Sequence, residues 1–174
     1  RGLVGSEMCI RDRMFAAVTM VADNLKFSGA VSLQSKGDGA LTRSLAECRD
    51  QHYLRGIAHV ATDKAAGIRS SNLADWLGNG QLALSLLPDK STRMNPYQGL
   101  VEIDPAGLAA SLEGYFQNSE QLQTCLHFAS LDGTTTGLLL QRLPDAPEAS
   151  EVSIAAADDD WLTPVSYTHL RAHE

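Results

Sequence analysis

The chain has 174 residues, 44% hydrophobic and 20% charged, which fits one globular domain whose core needs no metal or disulfide support. Its formal net charge of -7 argues against a nucleic-acid backbone as partner, because phosphate binding needs a basic stripe and the linear sequence shows none. The longest apolar stretch, near Phe15 to Ala22, falls far short of the roughly 20 residues that cross a bilayer, so no membrane partner is expected.

Residues 1–13 and 165–174 resemble translated sequencing-adapter DNA, and neither string carries a period that matches its neighbour. Both are expected to stand outside the fold. Residues 14–26 read as the end of a helix: Met14, Ala17, Val18, Val21, Ala22 and Leu25 have helical spacing, and Gly29 sits where a left-handed cap belongs. An alternating strand follows, with Val31, Leu33 and Ser35 against Ser32, Gln34 and Lys36. Gly37-Asp38-Gly39 then turns the chain into a second strand, about Leu41 to Cys48, and a third runs from Leu54 to Val60.

Residues 61–72 are polar and turn-rich. Asn72 is the expected N-cap of a short helix, Leu73 to Leu77, which Gly78-Asn79-Gly80 ends. Leu82, Leu84 and Leu86 alternate as a strand, and Tyr97, Gly99, Val101 and Ile103 continue the sheet pattern. A helix is predicted over 105–118, with Asp104 as N-cap and Pro105 in its first position. In it Leu108, Leu112, Tyr115 and Phe116 share one face, while Ser111, Glu113 and Gln117 point away. Two strands, about 124–131 and 135–143, are joined by Asp132-Gly133, a strong hairpin signal. Residues 144–160, rich in Ala, Pro, Glu and Asp, read as a linker or the start of an acidic helix, and 144–164 as a whole is taken as the start of the linker. Asp158-Asp159-Asp160 reads as a solvated run, with Trp161 beside it. The fold class is therefore α+β: largely antiparallel or mixed sheets built from hairpins, with flanking helices.

The chemistry-bearing residues are sparse. Gly37-Asp38-Gly39 lacks the Lys-Ser/Thr of a phosphate loop and reads as a turn. Cys9, Cys48 and Cys125 form no Cys-x-x-Cys pair, so no metal site is expected, and isolated reduced thiols of a cytosolic protein are. Cys125 and His127 share one face of a strand and could touch, which leaves a small cysteine hydrolase open. Cys48 and His52 straddle a turn, and His59 stands alone on a strand. A passive dimerisation module is also open. No cofactor or catalytic residue is assigned.

Several strings, in order, carry a resemblance: Leu25-Lys26-Phe27-Ser28-Gly29, Leu33-Gln34-Ser35-Lys36-Gly37-Asp38-Gly39, Leu54-Arg55-Gly56-Ile57-Ala58, Leu77-Gly78-Asn79-Gly80, Tyr97-Gln98-Gly99-Leu100-Val101, Tyr115-Phe116-Gln117-Asn118-Ser119-Glu120-Gln121-Leu122 and Gly137-Leu138-Leu139-Leu140-Gln141. Together they resemble the N-terminal domain of the heat shock protein 33 family over about 25–143. The resemblance implies an ATP-independent, redox-regulated holdase, cytoplasmic and dimeric, which binds unfolding client proteins under oxidative and heat stress. It implies zinc held by four cysteines in a C-terminal domain, expected to be absent here, as is the opening part of the N-terminal domain. Gln123 and Cys125 depart from the family's Pro and Arg after Ser-Glu-Gln. Among the motif residues, Gly37, Asp38, Gly39, Tyr97, Gln98, Gly99, Tyr115, Phe116, Ser119, Glu120 and Gln121 are read as structural.

Overall fold

The computed structural model describes residues 3–24, 28–91 and 93–142. The chain divides after Gln141, and the first unit holds every element that follows. Leu25 to Phe27, the acidic linker, Trp161 and the 165–174 string lie outside the described residues.

In chain order the elements are α1 (Leu3–Asn24), β1 (Gly29–Lys36), β2 (Leu41–Arg49), β3 (Tyr53–Val60), α2 (Thr62–Ala65), α3 (Leu73–Leu77), β4 (Gln81–Pro88), β5 (Tyr97–Val101), α4 (Leu108–Ser119), β6 (Thr124–Leu131) and β7 (Thr134–Gln141). Five strands form one sheet in the order β3-β2-β1-β4-β5, and β6 pairs with β7 in a second. Every described pairing is antiparallel, so the architecture is α+β, as the hairpin signals imply.

Alternation along the strands gives the large sheet two unlike faces. On one, Val31 and Leu33 of β1 lie opposite Cys48 and Ala46 of β2 and Leu86 and Leu84 of β4. α1 packs on this face through Met14, Ala17, Val18 and Val21, and Met14 Sδ accepts a hydrogen bond from Ser44 Oγ at 3.3 Å. Its Phe15 ring fills the space where Gly56 of β3 has no side chain: a Cβ there would stand 2.6 Å from Phe15 Cζ. On the far side of α1, a Cβ on Gly137 of β7 would stand 2.7 Å from Met20 Sδ. The helix is therefore gripped between the two sheets.

The structure corrects five expectations. α1 extends back past Met14. Residues 3–13 are part of it: Ile10, one turn earlier, is only 4% exposed in the same core, and Arg13 Nη1 donates to the Ser71 carbonyl at 3.2 Å. Gly29 opens β1 with φ 150° instead of capping the helix. A one-turn helix, α2, lies within the stretch read as loop. Finally, α4 begins three residues later than expected, and neither Asp104 nor Pro105 caps it. Asp104 instead closes a turn, its Oδ1 accepting from Ala106 N–H at 2.7 Å and its carbonyl from Gly107 N–H at 2.9 Å. Gly107, at φ 118°, becomes the N-cap. Ser111 does not point to solvent: its buried hydroxyl donates to the Gly107 carbonyl and accepts from Asp104 N–H, both at 2.8 Å.

The β1–β2 turn is tied to the end of α3. Gly39 N–H donates to the Leu77 carbonyl at 2.9 Å, and the Asp38 carboxylate accepts from the backbone N–H of Asn79 at 2.8 Å and its Nδ2 at 3.2 Å. A Cβ on Gly37 would collide with the Leu77 carbonyl, so only glycine admits this approach. Gly78, at φ 64°, reverses the chain beneath Asp38. Asn79's side-chain and backbone donors hold the Asp38 carboxyl below the ordinary carboxylate value of 3.8. A depressed folded-state pKa stabilises above the unfolded value and is lost as pH falls through the folded one. Asp38→Ala is therefore expected to melt below wild type at pH 7, with the gap closing as pH drops past about 3.8, as thermal melts over a pH series will read.

Candidate functional site

β5 and α4 meet where β5 has no side chain. A Cβ on Gly99 would stand 2.5 Å from the Tyr115 ring, so glycine lets the tyrosine lie flat on the strand. Leu108, Leu112, Tyr115 and Phe116 recur at helical spacing and are all buried, which presses α4 against the sheet at this point. The Tyr115 hydroxyl donates to Glu120 Oε1 at 3.0 Å and is hydrogen-bonded to the Tyr97 hydroxyl at 3.1 Å. Burial first, then these two neighbours, push the Tyr115 phenol far up, so it stays protonated as a donor. Phe116 meets the Tyr115 ring edge-on at 5.6 Å.

Beside this clamp a groove of about 490 Å³ opens among α1, β4, β5, α4 and β7. Val21, Leu84, Leu86, Phe116, Leu122 and Leu139 give it an apolar lining, and Tyr97, Tyr115, Ser119, Glu120 and Gln141 add polar groups. Such a concave surface takes apolar side chains, with a few polar groups to orient the backbone beside them. Further apolar side chains stand exposed on the described surface, among them Tyr53, Leu54, Leu131 and Leu138.

The motif residues separate into groups. Tyr97, Gly99, Tyr115, Phe116, Ser119 and Glu120 converge on the groove. Gln121 adopts a left-handed φ of 56° just after α4 and is exposed. Gln98, alternating to the opposite face, donates to Ser85 Oγ at 3.2 Å. Gly37, Asp38 and Gly39 belong to the turn against α3, not to this groove. The groove's leucines were visible as the alternation of Leu84 and Leu86, but their joint lining with Leu122 and Leu139 comes from packing across five elements.

Cys125 Sγ and His127 Nε2 do come together, at 3.4 Å. Burial raises the Cys125 thiol, and the nearby Glu113 carboxylate raises it further. That is the reverse of the activated thiolate a nucleophile requires. Glu113 also accepts from Leu126 N–H at 2.6 Å, bracing β6 against α4. Cys48 is fully buried in β2 and burial raises its thiol, while His52 is exposed and hydrogen-bonds the Asp50 carbonyl. The implied zinc does not fit these thiols: among the described residues no group of three or more His, Cys, Asp or Glu side chains could hold a metal ion. Among them, too, no helix is long and apolar enough to cross a membrane. Iodoacetamide at pH 7 is expected to label Cys125 in the folded chain at least about tenfold more slowly than in the denatured chain. Labelling as fast as a free thiol would restore the hydrolase reading.

The family model for the Hsp33 protein matches residues 10–169. A 33 kDa chaperonin of Shewanella denitrificans is 35% identical over 138 residues, covering 79% of this chain and 46% of that protein. A 33 kDa chaperonin of Pseudomonas syringae is 38% identical over 144 residues, covering 80% and 46%. The chain thus spans under half the length of these curated relatives. The crystal structure of a 33 kDa chaperonin from Thermotoga maritima superposes with a TM-score of 0.56 at 22% identity, over 74% of this chain and 45% of that one, which supports the fold. From the extent of the family match and the identity of its relatives, the chain belongs to the Hsp33 protein family.

Proposed function

We propose that this chain binds unfolded segments of client proteins, as part of a cytoplasmic, ATP-independent holdase chaperone. The observation that carries the proposal is the apolar groove beside the Tyr115 clamp, where two family motifs meet. Family membership and relatives named 33 kDa chaperonin support the chaperone class. A holdase needs accessible apolar surface rather than a reacting group, and the groove together with the exposed leucines and tyrosines supplies it.

Nucleotide independence is consistent with Gly37-Asp38-Gly39 serving as a turn locked to α3. Redox regulation is proposed for the assembly that carries a four-cysteine zinc site. Cys48 and Cys125 are buried on separate strands, and we assign no switching step to either. Dimerisation is proposed on the same family grounds.

The test is light scattering from a thermally unfolding client, with and without this chain and in the absence of nucleotide. At equimolar chain the scattering is expected to fall by more than about half, and ATP is expected to change nothing, because apolar capture needs no phosphoryl chemistry. A folded chain that leaves the scattering unchanged would refute holdase activity for these residues.

A further inference from the structure

The face of the large sheet turned away from α1 carries its side chains in rows that cross the strands. One row runs Arg55, Glu47, Ser32, Ser85, Gln98, fixed by the registers of all four pairings. Its charges are settled internally: Arg55 Nη2 donates to Glu47 Oε2 at 2.8 Å, and Glu47 is only 4% exposed. Further along the strands on this face, Arg49 pairs with Asp89 at 3.0 Å.

At the other end of the face the pattern reverses. Arg43 lies directly opposite Lys36 of β1 on one side and His59 of β3 on the other. All three side chains are exposed, and none makes a hydrogen bond or ion pair with another described residue. Like charges directly opposite one another in a sheet are destabilising. The chain carries 21 acidic residues against 14 basic ones, yet no acidic side chain among the described residues pairs with Lys36 or Arg43. The pairing of β2 with β3 is irregular between Leu41 and Arg43, the kind of local distortion that aims a side chain. Between this cationic row and the Glu47 row lies a third, with Ile57 opposite Leu45, and Ile57 is 48% exposed.

We propose that this corner of the sheet docks acidic client segments, with carboxylates on Lys36 and Arg43 beside His59, and flanking apolar side chains on Ile57 and Leu45. Charge complementarity selects the occupant: a basic segment is repelled, and a neutral one leaves the like-charge contact unrelieved. The proposal rests on the chaperone reading for its biological partner, but it concerns a face distinct from the apolar groove.

The test uses the full chain and two fluorescein-labelled peptides, alternating Glu-Leu and alternating Gln-Leu, read by anisotropy. The Glu-Leu peptide is expected to bind more tightly, and to weaken as salt rises to about 0.5 M. The double variant Lys36→Gln/Arg43→Gln is expected to weaken Glu-Leu binding roughly fivefold and to leave Gln-Leu binding unchanged. Its melting temperature is expected to equal or exceed that of wild type, because a like-charge contact is removed. Equal affinity for both peptides, or Glu-Leu binding untouched in the double variant, overturns the proposal. So does concentration-dependent self-association that the double variant abolishes, which would assign the face to a second copy of the chain. Client scattering measured on the same preparations separates the two ideas. Suppression retained without charge-dependent peptide binding leaves the holdase standing and sinks the acidic site. Charge-dependent binding without suppression supports the site and sinks the holdase.

Discussion

Tyr115 lies on β5 only because position 99 is glycine, and the groove depends on that approach. With any side chain at 99, the Tyr115 ring would have to leave its place on the strand, and the aromatic wall it forms with Phe116 would change with it. The buried hydroxyl ties the helix to the sheet through Tyr97 of β5, while its bond to Glu120, the residue that caps α4, orients the ring within the helix's own end. A buried hydroxyl left without partners costs about 1–3 kcal/mol, so the bond to Tyr97 favours placements of α4 that keep the two hydroxyls together. From the other side, Glu113 holds β6 through the Leu126 N–H. The helices thus sit between two sheets, and α1 and α4 both line the groove.

The two faces of the five-stranded sheet do different work. The face under α1 is largely apolar, and the groove opens along it at Leu84 and Leu86. The other is mixed, with polar rows beside Leu45 and Ile57, and its charge is paired among the described residues except at Lys36 and Arg43. A chaperone must hold chains whose sequences it cannot anticipate. On the proposed reading, an apolar groove and a separate cationic row would recognise two recurrent features of an unfolded chain, exposed hydrophobic side chains and acidic ones, without reading sequence.

Local signals in the sequence were legible because they act over a few residues. Asp132-Gly133 forms its turn with both residues left-handed, at φ 49° and 78°, as the hairpin rule requires. Asn72 caps α3 through Ala74 N–H, as its place before an apolar run suggests. Asp104-Pro105 misled for an instructive reason: an aspartate before a proline suits an N-cap and a β-turn equally, and Gly107 decides between them. Ser111 misled because hydroxyl polarity does not reveal a buried partner. The pairing of β4 with β1, which joins Leu33 to Leu84, is non-local and left no mark in either strand. The cationic row was invisible for the same reason, since its members come from three strands. At the groove, Tyr97 and Gly99 were legible as strand alternation and Tyr115 and Phe116 as one helix face, Ser119 and Glu120 only by family resemblance, and their convergence needed the fold.

The central claim is that the groove beside the Tyr115 clamp is where unfolded chain is held. The measurement that tests it most directly is photo-crosslinking of a benzophenone-bearing apolar peptide to the folded chain, with the attachment points mapped by mass spectrometry. Adducts concentrated at Leu84, Leu86, Leu122 and Leu139 are the predicted result. Adducts confined to residues remote from the groove, such as Tyr53 and Leu131, would contradict it.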